Sequence, residues 1–202
     1  MENNLIRIRA SGATNRLVLL HGWGADADDL IPLGQEWCNS FSGLRIELVA
    51  LRAPQIHPDG CGRQWYGLFP PQWDEVPSSI ENLTFRIQAL CSSAIPLERT
   101  ALFGFSQGAA MAMGAGSQLK LAGLICCSGY PHPDWTPPQS SPPVLLCHGN
   151  QDEVVPCEAS RKLFRSLRNN KIETDLVIFD GGHEIPQNLF PSMERSLQRW
   201  FA

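Results

Sequence analysis

The sequence has no run of basic residues: 16 Lys and Arg stand against 20 Asp and Glu, for a formal net charge of −4. That balance argues against nucleic acid or an anionic membrane as the principal partner. No apolar stretch approaches the ~20 residues needed to span a bilayer, so no integral membrane segment is expected. The amino end, Met1 to Arg9, lacks the apolar core of a signal peptide and alternates charge with aliphatics as a strand does, so a cytoplasmic location is expected. No two cysteines have C-x-x-C spacing, and the adjacent Cys126 and Cys127 would point to opposite faces of a strand. Neither a metal nor another cofactor is therefore expected. The 7 cysteines are an odd number scattered through apolar segments, which reads as mostly free, buried thiols and not as a disulfide framework. With no internal repeat, low-complexity segment or linker, residues 1–202 are expected to form one domain.

What the sequence does contain is a series of short aliphatic runs, each ending in a Gly-containing turn and most followed by a helical pattern, the signature of a parallel sheet. The runs are Arg16–Leu20, Leu44–Ala50, Thr100–Gly104, Leu121–Cys127, Val144–Cys147 and Thr174–Phe179, with Leu5–Ile8 as an edge strand. Apolar residues at helical spacing mark Ile80–Ile95, a segment around Ala159–Leu167 and another around Leu189–Trp200. The class is α/β: a mostly parallel central sheet with helices on both faces. Pro54–Ser79 and Tyr130–Pro143 read as loop excursions, the first rich in aromatics.

Gly104-Phe105-Ser106-Gln107-Gly108 matches G-x-S-x-G between a buried strand and a small-residue helix, the context that motif requires. A sharp strand-to-helix turn holds such a serine above the sheet, and glycine on either side lets neighbouring chains pass close. A serine hydroxyl becomes a useful nucleophile once an imidazole takes its proton and a carboxylate orients the imidazole. In this architecture the acid and base follow the serine in that order, at the ends of later strands. Asp152 and His183 lie where the order demands. His148 precedes Asp152 on the same strand end, His21 precedes the serine, and His57 and His132 sit in irregular loops. Asp180 is the rival acid, close to His183, with a turn carboxylate as its simpler role. The oxyanion donors are expected from the main-chain amides of Gln107 and Trp23, with His21 bracing the Trp23 loop.

The segments Leu20–Gly24, Arg52–Pro54, Gly104–Gly108, Cys127–Gly129, His148–Pro156 and Gly182–Ile185 resemble the phospholipase/carboxylesterase family of small α/β-hydrolases, which includes acyl-protein thioesterases and bacterial carboxylesterases. The resemblance spans about residues 16 to 200. It implies an α/β-hydrolase fold, with Ser106, Asp152 and His183 as nucleophile, acid and base, and Trp23 and Gln107 as oxyanion donors. It also places the 54–79 excursion over the acyl side, so Trp65, Tyr66, Phe69 and Trp73 are candidate substrate contacts; the alternative is that these rings pin the loop to the body of the domain. Two departures stand out. Trp23 puts an indole at the edge of the site, where the family commonly has a small or aliphatic residue, and Ala109 replaces a common glycine.

The 130–143 segment is too short for a cap domain, which points to an open groove. The expected partner is thus a small-molecule ester or thioester, with an acylated protein or a lysophospholipid as further substrates. A catalytically silent relative that binds a small ligand in the same crevice is the alternative from another class. A peptidase of the same fold would carry recognition elements that this chain lacks.

Overall fold

A computed structural model describes residues 4–40 and 44–202. Its main sheet is 7-stranded: β1 (Leu5–Arg9), β2 (Asn15–Leu20), β3 (Ile46–Leu51), β6 (Thr100–Phe105), β7 (Gly123–Cys127), β8 (Val144–Gly149) and β9 (Thr174–Phe179), in the spatial order β1-β3-β2-β6-β7-β8-β9. β1 runs antiparallel to β3, with Leu5 opposite Leu51, and the other pairings in this sheet are parallel. Two further short strands, β4 (Gln55–Ile56) and β5 (Arg63–Gln64), form a separate hairpin.

Period-2 alternation divides the apolar side chains between two layers. Val18 and Leu20 of β2 join Val49, Leu102, Leu124 and Leu146 on one face; Leu17 and Leu19 join Leu48, Phe103, Ile125 and Leu145 on the other. The first face is covered by α2 (Val76–Gln88), α3 (Gln107–Met111, continued by a π turn over Ala112–Gly116) and α4 (Glu158–Asn169). The second is covered by α1 (Ile31–Ser40) and α5 (Phe190–Phe201), through Trp37, Met193, Leu197 and Phe201. Burial on both faces is why the central strands read as continuous aliphatic runs.

One carboxylate interrupts that pattern. Glu47 of β3 is buried between Arg16 of β2, whose Nε donates to it at 2.6 Å, and Arg9 of β1, whose Nε donates at 2.7 Å. The cross-strand register puts both arginines directly opposite it, so a charge inside an aliphatic run is paired on two sides.

The elements depart from expectation in four places. α2 begins at Val76 with Pro77 in its first turn, a position that needs no N–H, and ends at Gln88, short of Ile95. Beyond it the Ser92 hydroxyl takes the Ile95 N–H at 3.1 Å, a local turn bond that competes with helix continuation. α1 has no counterpart among the expected helices. The 54–79 excursion contains β4, β5 and the start of α2, whereas residues 130–143 hold only turns and bends, with no cap between β7 and β8. All seven cysteines are free thiols, with Cys61 and Cys91 exposed and not buried as expected. Among the described residues no helix is long and apolar enough to cross a membrane.

Candidate active site

Ser106 stands between β6 and α3 at φ 55° and ψ −119°, a left-handed backbone setting that costs an L-residue of this kind about 1–3 kcal/mol. The turn is held on both sides. The Ser106 N–H donates to the Cys127 carbonyl at 2.9 Å, and its own carbonyl accepts from the amides of Ala109 and Ala110 at 3.0 and 3.1 Å. A Cβ on Gly104 would lie 2.3 Å from the Gly108 oxygen, and one on Gly108 would lie 2.2 Å from the Leu20 oxygen. Both glycines are therefore fixed by packing, β6 against its own helix and that helix against the end of β2.

The loops after β8 and β9 carry the expected acid and base, and backbone bonds stitch them together: Asn150 N–H to Phe179 O and Gln151 N–H to Gly181 O, both at 2.9 Å. Gly149 lets them cross, since a Cβ there would sit 2.3 Å from the Gly182 oxygen. Across this seam His183 Nδ1 donates to Asp152 Oδ2 at 2.7 Å. A carboxylate can only accept here, so the neutral ring carries its proton on Nδ1 and leaves a lone pair on Nε2. The imidazole packs against Phe105, the residue before Ser106, with ring centroids 4.8 Å apart. Among the described residues no hydrogen bond joins this ring to the Ser106 hydroxyl; in unliganded sites that contact is often long and tightens with substrate.

Asp152 Oδ1 accepts the N–H groups of Val154 and Val155 at 2.9 and 2.8 Å. Burial works to raise its pKa, but the Val155 amide and His183 outweigh it and hold the carboxyl below its ordinary range. Asp180 is exposed and accepts from the Gln151 side chain at 2.7 Å, the turn role that made it the weaker rival.

The loop after β2 lies against the serine turn, where a Cβ on Gly22 would sit 3.4 Å from that of Ser106. His21 donates from Nδ1 to the Gly22 carbonyl at 2.8 Å and accepts the Ala53 N–H on Nε2 at 3.0 Å, so both nitrogens are spent on bracing. Desolvation lowers its pKa and keeps it neutral. Gly24, at φ +78°, donates to the Arg63 carbonyl at 2.9 Å, docking the loop on the β4–β5 hairpin. Among the described residues the Trp23 N–H makes no backbone hydrogen bond. The Gln107 N–H opens α3 and has no carbonyl of that helix four residues behind it.

Of the four aromatic rings expected at the substrate, the structure separates two from two. Trp65 and Tyr66 are 1% and 0% exposed, so the expectation of substrate contact is corrected for both. Trp65 Nε1 donates to the His21 carbonyl at 2.9 Å, and the Tyr66 hydroxyl bonds Tyr130 Oη at 2.7 Å and His132 Nε2 at 3.1 Å. These rings pin the loop. Phe69 and Trp73 are exposed, at 73% and 39%. Phe69 packs edge-on against Trp23 with centroids 5.1 Å apart.

Sequence reasoning missed what holds these parts. The Gln107 side chain accepts the Trp65 N–H at 3.0 Å and donates to the Tyr66 carbonyl at 2.9 Å. Gln64 accepts the Trp23 indole N–H at 2.9 Å and in turn donates to Gln55, which donates to Glu75. Glutamines carry no positional signature, so nothing in the sequence marks them.

A serine at positive φ above a mostly parallel sheet, with an aspartate after β8 and a histidine after β9 joined by a hydrogen bond, defines an α/β-hydrolase. Residues 1–201 match the family profile described as Phospholipase/Carboxylesterase, and the chain belongs to that family. It is accordingly an enzyme of the serine hydrolase class. The chain is 30% identical over 182 residues to an acyl-protein thioesterase 1 homolog of Dictyostelium discoideum, covering 77% of this chain and 78% of that one. It is 35% identical over 170 residues to an acyl-protein thioesterase 1 of Neurospora crassa, covering 70% and 68%. The crystal structure of esterase PE8 superimposes with a TM-score of 0.86 at 31% identity, over 96% of this chain and 97% of that one.

Proposed function

We propose that residues 1–202 act as a single-domain cytoplasmic esterase that cleaves carboxylic esters or acyl thioesters through an acyl-enzyme on Ser106. The observation that carries this reading is the 2.7 Å bond from His183 Nδ1 to Asp152, on a ring packed beside the serine turn. With Nδ1 engaged, the Nε2 lone pair accepts the Ser106 proton as Oγ attacks the acyl carbon. The N–H groups of Gln107 and Trp23 receive the oxyanion of the tetrahedral intermediate. Collapse expels the alcohol or thiol, which takes the proton from His183, and the same ring then activates a water that releases the acid. Asp152 stays ionised throughout and stabilises the imidazolium. The sequence requires no metal and no cofactor.

Exposed Phe69, packed on the fixed Trp23 indole, offers the acyl group an apolar contact, and the absence of a cap among the described residues leaves the site open to soluble substrates. The family membership and the thioesterase names of two relatives support an acylated protein or lysophospholipid alongside small esters.

The test is labelling with a fluorophosphonate together with a p-nitrophenyl ester and acyl-thioester panel. The reading expects stoichiometric modification at Ser106 and no turnover by a folded Ser106→Ala variant. A folded protein that resists the probe and turns over no ester would instead be a silent ligand-binding relative.

A further inference from the structure

We infer that His148 is a positioning residue for Asp152, a second imidazole clamping the carboxylate oxygen that His183 engages; this rests on the assignment of Asp152 and His183 made above. His148 is the penultimate residue of β8, a strand buried along its whole length, and is itself 0% exposed. Its Nε2 lies 2.8 Å from the Val155 carbonyl and 3.3 Å from Asp152 Oδ2, the same oxygen that takes the His183 proton. Carbonyl and carboxylate are both acceptors only, so Nε2 carries a hydrogen and shares it between them. Nδ1 sits 2.7 Å from the Ser160 hydroxyl of α4, which donates to it and fixes that tautomer.

The clamp acts twice on Asp152. It reaches Oδ2 directly, and it holds the Val155 peptide, whose N–H donates to Oδ1 at 2.8 Å. Two imidazoles thus share one carboxylate: the His183 side chain is 18% exposed, while His148 is buried with both nitrogens occupied. Burial and the neighbouring His183 both disfavour a charge on His148. The arrangement explains why the carboxylate can be dry yet ionised: it has donors on both oxygens before the imidazolium forms.

Other groups face this carboxylate too. They are the Ser128 hydroxyl and the Cys127 thiol at the end of β7, the latter held undissociated by burial. On the His183 loop itself, Glu184 turns back to the Gly182 amide and Asp180 to Gln151. None supplies a second N–H to Oδ2, so removing the His148 donor leaves more charge on the oxygen facing His183. The imidazolium is then held more tightly, and the base stays protonated to higher pH.

The test compares His148→Leu, His148→Asn and His148→Gln in ester hydrolysis across pH, with thermal melting as the folding check. The Gln amide reaches the position of Nε2 and can donate to both acceptors, whereas the shorter Asn amide reaches only the Ser160 side. His148→Leu and His148→Asn are expected to lose roughly 10–100-fold in kcat with KM within about threefold. The acidic limb of kcat/KM in these variants is expected to move up by roughly half a pH unit. His148→Gln is expected to recover most of the lost kcat. The inference is overturned if all three variants retain wild-type kcat, or if Gln and Asn are equally impaired with an unmoved pH limb, which is the pattern of a residue that only packs. If Leu fails to fold, the two polar variants still decide. Parallel Ser106→Ala and Asp152→Asn controls separate the two readings: if these remain active the triad assignment itself has failed, and if they are inactive while His148→Leu is unaffected only this inference has.

Discussion

The side-chain oxygen of Gln107 accepts the main-chain N–H of Trp65 at 3.0 Å, 42 residues away in sequence. Its amide nitrogen completes the grip on the Tyr66 carbonyl. The residue proposed above as an oxyanion donor thus also anchors the aromatic loop through its side chain. Gln107→Ala keeps the main-chain donor but strands two buried backbone groups, at about 1–3 kcal/mol each. Urea denaturation should show a loss of roughly 2–6 kcal/mol, and kcat should fall even in the folded fraction because the loop is released. An unchanged denaturation midpoint would show that the two bonds carry no stability.

The two carboxylates near His183 should behave very differently. Asp152→Asn leaves the geometry but favours the wrong tautomer of His183, and kcat should fall by something like 10⁴ with little change in KM. Asp180→Asn removes only an exposed contact to Gln151 and should stay within about twofold of wild type. Steady-state kinetics on the two purified variants decides the point. Greater damage from Asp180→Asn would reverse the acid assignment.

Glycine at 108 is required by contact and not by backbone angle. A methyl there meets the Leu20 and His21 carbonyls at 2.2 and 2.5 Å, so Gly108→Ala should displace α3 from the end of β2 and sharply reduce both stability and activity. Gly60 offers the contrast: at φ +77° with open space around it, Gly60→Ala should cost only about 1 kcal/mol and leave kcat intact. Thermal melts and ester turnover on the pair test the distinction.

Stability should fall in acid through Glu47. Burial raises its pKa, but the hydrogen bonds from Arg16 and Arg9, with Arg7 nearby, more than offset this and leave the folded value below the ordinary 4.5. A depressed folded pKa means the contribution is full above the unfolded value and lost as pH falls through the folded one. The melting temperature should therefore drop below about pH 4.5, and Glu47→Gln, which leaves buried Arg16 without its counter-charge, should cost about 3–5 kcal/mol at neutral pH and flatten the acid dependence.

Strand positions were legible because each central strand is buried on both faces and so appears as a largely aliphatic run: β2, β6 and β8 fall within two residues of their expected bounds, and the half-buried edge strand β9 matches Thr174–Phe179. The serine turn was legible for a related reason, since its two glycines answer to steric demands that no other residue meets. α1 was not, because its apolar residues are few and Pro32 and Gly34 interrupt the pattern, although Trp37 buries the helix against Phe103. Nor was the fate of the aromatic loop. Trp65 and Phe69 are both large aromatic residues four positions apart, yet one is buried, with its main chain tied to Gln107, while the other stays in solvent, and that partner lies far along the chain. His148 could be seen as a rival base but not as a clamp, since its role depends on which nitrogen meets Val155 and which meets Ser160.

The most direct measurement is rapid-quench mass spectrometry during turnover of a p-nitrophenyl ester, with peptide mapping of any acyl adduct. The account predicts a transient mass increase equal to the acyl group, confined to the peptide bearing Ser106 and longer-lived when His183 is replaced by alanine. Undiminished turnover with an adduct on another residue, or with none on Ser106 under conditions where deacylation is slow, would contradict it.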